Sequence, residues 1–185
     1  MRRISAGRVL AVVALALLVA GPVSAQDKEL VVAGGWAPQI DFAGGGNTTV
    51  PLGVMFNVAV PIAPKLQVVG DFGWARKSEG GATLNFLTAT GGVRYAIPTK
   101  SGGSASPFVE GLVGLGYLSG SIDTGDLVGS GSATGIAFGF GGGVDVKANA
   151  TINLRIQANY FLNRISGVNL SEVRFGIGIS SATKM

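Results

Sequence analysis

The chain has 185 residues, of which 14 are Lys or Arg, 10 are Asp or Glu and 31 are Gly, and it contains neither Cys nor His. Charged residues make up 13% of the chain, against roughly 25% in ordinary soluble domains, so neither an ordinary soluble domain nor a disordered tail is expected. The absence of Cys excludes disulfides, thiolate zinc sites and a Cys nucleophile. The absence of His excludes Ser-His catalysis and imidazole-bound metals. The sequence therefore predicts no catalytic residue, no metal and no cofactor.

The first 25 residues have the pattern of an export signal. Three arginines lie in the first eight residues, an unbroken apolar run of twelve residues extends from Val9 to Ala20, and small residues precede a cleavage position after Ala25. A run of this length fits a signal-peptide core and is shorter than the ~18 residues of a membrane-spanning helix, which disfavours the alternative of a retained anchor. We expect an export signal at 1–25, used by the general secretory route, and a mature barrel domain at 26–185.

The basic character of the chain belongs largely to this signal. Without it, eleven basic residues face ten acidic ones, so the mature net charge is +1. Nucleic-acid binding would need Lys and Arg clustered on one face, and no such cluster is present in the sequence. Nucleic acid is therefore not an expected partner.

Apolar residues alternate with small or polar ones along the whole mature chain, which is the period of a β-strand rather than a helix. Eight such runs are predicted, at 29–37, 49–62, 66–75, 83–97, 107–118, 134–146, 151–162 and 172–180. Most reach the ~9 to 11 residues that a tilted strand needs to cross hydrocarbon, and an even number fits a closed bacterial barrel. We predict an all-β, eight-stranded antiparallel up-and-down transmembrane barrel.

The connections between the runs alternate in length. Three long ones, rich in Gly, Ser, Asp and Asn, lie at 38–48, 119–133 and 163–171. If the chain starts on the periplasmic side, these loops lie outside the cell, and the linker at 98–106 is an exception on the short side. Because binding commonly resides on loops held by a rigid scaffold, the three long loops are the predicted contact sites.

The second face of the strands carries mainly Gly, Ala, Thr and Asn, with about one charge per strand. A soluble surface would carry roughly 25 to 35% charged residues, so this face is predicted to line the barrel lumen, which eight strands leave only wide enough for side chains to fill. The predicted lumen charge network comprises Asp71, Arg94, Glu110, Asp145, Arg155 and Arg174. These charges sum to zero, as low dielectric requires. Pairing about Gly102 predicts an Arg94–Glu110 ion pair; alternatively, both side chains point into solvent near the turn.

The aromatic residues predict where the membrane boundaries lie, because Trp and Tyr prefer the membrane interface. Four of them fall on strand ends nearest the long loops and one near the opposite rim, and together they form a predicted girdle of Trp36, Trp74, Tyr117, Tyr160 and Tyr95. The alternative is ordinary core packing.

The segments 107–117 and 141–146, the latter running into 152–155, place Gly at every second position beside alternating apolar residues. In these segments the chain resembles the small outer-membrane β-barrels of Gram-negative bacteria, which include opacity-like and outer-membrane protein A-like barrels. Family members end in an aromatic residue, whereas here residues 180–185 follow the last alternating run. The resemblance implies location in the cell outer membrane and a role in envelope integrity, adhesion or serum resistance. It also implies outer-membrane lipid, the barrel-insertion machinery and an unidentified host or envelope surface molecule as partners.

Three functions remain open at this level. The favoured one is a non-enzymatic barrel with a structural or surface role. The first alternative is a narrow porin-like channel. The second is a soluble lipocalin-like barrel for a small apolar ligand, which requires the bulky face to point inward.

Overall fold

The computed structural model describes residues 29–43, 46–99, 104–123 and 128–184. These ranges form ten β-strands: β1 Glu29–Trp36, β2 Gln39–Ala43, β3 Gly46–Val50, β4 Leu52–Ala63, β5 Leu66–Glu79, β6 Ala82–Ala96, β7 Ala105–Asp123, β8 Val128–Lys147, β9 Ile152–Ile165 and β10 Val168–Lys184. Within them, no helix is long and apolar enough to cross a membrane. The predicted export signal, 1–25, lies outside the described residues.

All ten strands belong to one antiparallel sheet, which closes because β10 pairs with β1. β1 and β2 pair with β10 in one continuous register that is interrupted only at Ala37 and Pro38. β3 and β4 lie beside them and are interrupted at Pro51, which has no N–H to contribute to a ladder. β1 with β2, and β3 with β4, therefore act as two barrel strands, and the predicted eight-stranded up-and-down barrel is confirmed.

The strands are staggered around the barrel. A row of paired residues that starts at Val31 on β1 passes once around the sheet and returns at Asp41 on β2, ten residues further along. With the usual strand spacing and rise, this stagger corresponds to a strand tilt of about 40°. A barrel of this size is filled by its own side chains.

The tight curvature makes the effect of a methyl group depend on which face carries it. A Cβ added at Gly92, on the inner face of β6, would overlap the carbonyl of Gly111 on β7, whereas a Cβ at Gly111 would meet nothing within 4 Å. We expect Gly92→Ala to lower the free energy of unfolding by about 1–3 kcal/mol. The matched Gly111→Ala change should be neutral or slightly stabilising. Urea unfolding in lipid vesicles measures both variants, and equal effects would contradict this placement of the two strands.

The outer connections are shorter than the sequence predicts. Mostly strand is found in the three segments predicted as long loops, 38–48, 119–133 and 163–171. In the first, β2 pairs with β3, and in most of the second, β7 pairs with β8. In the third, Ser166 and Gly167 alone join β9 to β10. Long loops were predicted because Gly, Ser and Asn are typical of turns. The prediction was wrong because these residues continue the strands. Strands that continue beyond the membrane can carry these polar residues on both faces.

Side-chain exposure alternates along the strands with the bulky residues outside. Val54, Phe138 and Ile156 are 46%, 52% and 47% exposed, whereas Gly139 and Arg155 are buried. The outer surface is therefore apolar and the interior small or polar, as predicted for a membrane barrel. The lipocalin-like alternative is wrong, because it requires the opposite orientation.

Candidate functional site

The interior of the barrel is the most chemically distinctive part of the molecule. It contains all six of the side chains predicted for the lumen: Asp71, Arg94, Glu110, Asp145, Arg155 and Arg174. Five of them are buried, and the side chain of Asp145 is 16% exposed. Each Arg lies against an acidic side chain, so the six form three ion pairs.

The first pair joins neighbouring strands. Arg94 on β6 lies directly opposite Glu110 on β7, and its Nε and Nη2 both donate to Oε2 of Glu110, at 2.8 and 2.6 Å. The other carboxylate oxygen, Oε1, accepts a hydrogen bond of 2.7 Å from Nδ2 of Asn159. Both charged side chains are almost wholly buried, at 2% and 0% exposure. The carboxylate thus has charged or polar donors on both oxygens, which offsets the desolvation of the pair.

The second pair has the two parallel hydrogen bonds of an ideal Arg–carboxylate contact. Arg155 on β9 lies opposite Asp145 on β8, with Nε to Oδ1 at 2.7 Å and Nη2 to Oδ2 at 2.6 Å. Ser180 also donates to Oδ1, at 2.9 Å. The third guanidinium nitrogen, Nη1, donates to Oδ1 of Asn57 at 2.9 Å. This hydrogen bond therefore connects the pair on β8 and β9 to β4, which carries Asn57.

The third pair crosses the lumen. Arg174 on β10 donates through Nη2 to Oδ1 of Asp71 on β5, although these two strands are not neighbours in the sheet. Its Nη1 donates to Oγ1 of Thr88 at 3.1 Å. Asn57 donates to the second oxygen of Asp71 at 2.5 Å. Since Asn57 also accepts from Arg155, one amide joins the second and third pairs into a single network.

Two buried aromatic rings lie against the guanidinium groups. Arg94 and Arg155 both lie over the ring of Phe108, with Cζ 4.3 and 4.9 Å from the centroid, and Arg174 lies 4.6 Å over Phe161. Cation–π contacts contribute about 2 kcal/mol when they are desolvated. These two Phe residues were not among the predicted site residues, although their inward position follows from the alternation of their strands.

The outer end of the interior is apolar. Phe86 on β6, Val50 on β3 and Ile165 on β9 are buried where the inner face nears the outer rim. Further inward on the inner face of β10 is Glu172, which is 3% exposed. It is a seventh charged side chain of the interior, which was not predicted because it stands at the first position of its predicted run. In the described ranges, no three Asp, Glu, His or Cys side chains are grouped to hold a metal.

The predicted girdle residues all reach the outer surface at least partly: Trp36, Trp74, Tyr95, Tyr117 and Tyr160. Three of them lie in one row of paired residues, which runs through Trp36, Val54, Trp74, Leu87 and Tyr117. The indole of Trp36 donates to the carbonyl of Pro51 at 2.8 Å, and the hydroxyls of Tyr160 and Ser171 are hydrogen-bonded at 2.9 Å. Each of these two rings therefore has an apolar body outside and a satisfied polar end, as interface aromatics require.

Comparison with solved structures gives the same fold. Ail, the attachment invasion locus protein of Yersinia pestis, is 19% identical with a TM-score of 0.64 over 84% of this chain and 99% of that chain. Neisserial surface protein A is 13% identical with a TM-score of 0.66 over the same shares. The N-terminal barrel of Pseudomonas aeruginosa OprF is 13% identical with a TM-score of 0.54, over 86% of this chain and all of that one. At these identities the likeness is one of fold.

Among curated proteins, none matches the chain. A family model does match it over residues 11–180, and its description is outer membrane protein beta-barrel domain. The match includes every strand of the barrel except the last residues of β10. Together with the outward-facing apolar side chains, it places the protein in the outer membrane. The chain belongs to the outer membrane protein β-barrel family.

Proposed function

We propose that the protein is a non-enzymatic and non-conducting barrel, which anchors its outer hairpins at the cell surface. The observation that carries this proposal is the filled interior. Ions cross a barrel only along a continuous aqueous path, whereas here three ion pairs, two of them linked through Asn57, occupy the middle of the lumen. The apolar side chains of Phe86, Val50 and Ile165 fill the interior between these ion pairs and the outer rim.

A surface role is supported by the strands beyond the membrane. β7 and β8 continue pairing through Ser119–Ser132 and up to Asp123–Val128, and most of these residues are small, polar and exposed. Strand pairing of this kind holds the backbone of these residues in a defined position for contact. Two structural neighbours are an attachment protein and a surface protein by name, which agrees with a surface role for this chain.

The proposal includes the route to the membrane. Residues 1–25 act as an export signal, residues 26–185 form the mature barrel, and the barrel-insertion machinery assembles it. The apolar run at Val9–Ala20 supports this. Mass spectrometry of the protein from outer membranes tests it, and a mature N-terminus at Gln26 is the expected result.

Planar-bilayer recording tests the absence of conduction. We expect no stepwise ion current from the wild-type barrel. The variant Arg94→Ala, Glu110→Ala, Phe108→Ala, Phe86→Ala removes one ion pair, the ring beside it and the largest apolar side chain at the outer end of the interior, and it should conduct. The variant shows that inserted barrels are detected, and a gel shift on heating shows that both proteins are folded. Regular single-channel currents from the wild type would contradict the proposal and favour the porin-like alternative.

A further inference from the structure

The outer part of β8 is paired on one side only. Its pairing with β7 continues from Thr134 to Val128, but its pairing with β9 begins only at Gly135, opposite Ile165. β9 ends at this level because the chain turns at once into β10. Among the described residues, no strand pairs with residues 128–134 on the side of β9. We call this segment the outer β8 edge.

The register determines which backbone groups point to the open side. The amide of Lys147 donates to Ser104 on the β7 side, and the β7–β8 pairing continues without a shift to Val128. Because bonding direction alternates along an antiparallel strand, odd-numbered residues of β8 bond to β7. Val128, Ser130 and Ser132 therefore direct both N–H and C=O away from β7, at exposed positions.

Nothing in this segment blocks the approach of another strand. Natural edge strands are commonly protected by Lys, Pro or a bulge, and residues 128–134 contain neither residue and no register shift. At Gly129 and Gly131, an added Cβ would meet no described atom within 4 Å beyond those of the glycine and its chain neighbours. The side chains are small or short, so an added strand could carry residues of many sizes on either face.

We propose that the outer β8 edge binds an extended peptide segment of another protein by strand addition. Main-chain hydrogen bonds would supply the affinity in this mode of recognition. The inference gives a defined site to the surface role proposed above, and it rests on that proposal only for the exposure of the edge outside the cell.

A second copy of the barrel does not fit this edge. Two copies in one membrane are related by rotation about the membrane normal, whereas the two-fold axis of an antiparallel strand pair is perpendicular to the strands. The strands lean about 40° from the barrel axis, so the membrane normal is not perpendicular to them. One axis therefore cannot both relate two barrels in a membrane and pair their β8 edges. A flexible extended segment has no such constraint, and we commit to it as the occupant.

Hydrogen exchange of the barrel in nanodiscs tests the geometry first. The amides of Ser130 and Ser132 should exchange quickly, while those of Gly129 and Gly131, which bond to β7, should be protected. Equal protection of all four amides in the free protein would contradict the proposal. Protection of Ser130 and Ser132 that rises with the density of barrels in vesicles would indicate a second copy and would also contradict it.

Binding is tested with a synthetic peptide of residues 117–123, the segment that pairs with the outer β8 edge from its other side. We expect saturable binding below about 1 mM, with new protection at Ser130 and Ser132. The double variant Ser130→Pro, Ser132→Pro removes two edge donors without touching the β7 ladder, and should weaken binding about tenfold or more. The matched double variant Ser130→Ala, Ser132→Ala retains both donors and should bind like the wild type.

Absence of binding up to that concentration, or equal binding by the Pro and Ala variants, would overturn the proposal. A gel shift on heating establishes that each variant is folded. The bilayer currents that test the proposed function do not depend on the edge. A non-conducting barrel that fails to bind the peptide would therefore refute only this inference. A conducting barrel that binds the peptide would refute only the proposed function.

Discussion

Replacement of Glu110 by Leu is expected to lower the free energy of unfolding by about 3–5 kcal/mol. The change removes the carboxylate that accepts two hydrogen bonds from Arg94 and one from Asn159. Arg94 is 2% exposed and cannot reach water without a rearrangement of the interior. The cost is therefore that of an uncompensated buried charge rather than that of one lost contact.

Removal of both charges should cost less than removal of one. In the double variant Arg94→Met, Glu110→Leu, the ion and its counter-ion disappear together, and side chains of similar length refill the space. Buried ion pairs replaced in this way are often neutral in stability. We expect the double variant to lie closer to the wild type than Glu110→Leu does, although Asn159 loses an acceptor.

Urea unfolding of the barrel in lipid vesicles, followed by the fluorescence of Trp36 and Trp74, measures both variants. The exposed pair of Lys77 and Glu79 provides the control, with Nζ and Oε2 2.9 Å apart and side chains 32% and 75% exposed. Exposed pairs contribute little, so Glu79→Gln should leave the transition unchanged. A Glu110→Leu barrel as stable as Glu79→Gln would show that the interior pair is not desolvated in the membrane.

The sequence was sufficient to predict one contact between adjacent strands, that of Arg94 with Glu110. Alternation assigns Arg94 and Glu110 to the inner face, and a hairpin between their strands fixes their register, since partners lie equally far from the turn. The contact between Arg174 and Asp71 has no such basis. It depends on the stagger of the whole sheet and on which strands face each other across the lumen, and neither is encoded in the pattern of one strand.

Composition was a poor guide at the outer end of the barrel. The Ser- and Gly-rich residues at 119–133 predict a loop, yet they continue the β7–β8 ladder almost to its tip, because a strand outside the membrane need not alternate in polarity. The first two barrel strands were difficult to predict for another reason. Pro38 and Pro51 interrupt them at neighbouring positions, so that β2 and β3 resemble part of a loop in the sequence.

Val113→Arg is expected to lower the free energy of unfolding by about 2–4 kcal/mol, the cost of Arg on the lipid face near the middle of a bilayer. Val113 is 52% exposed on β7, and its partners on the adjacent strands are Gly91 and Phe138, neither of which offers an acceptor side chain. The cation would therefore lie in hydrocarbon without a partner.

The matched control for Val113→Arg is Ser121→Arg, on the same face of β7 but beyond the row that contains Tyr117. At that height the guanidinium would meet water or lipid headgroups, so stability should barely change. Urea unfolding measures the stability of both variants. It is carried out in lipid vesicles because the hydrated surface of a detergent micelle would hide the difference in stability between them. If both substitutions have the same small effect, the outward apolar face of β7 does not contact lipid, and the membrane position assigned to the barrel is wrong.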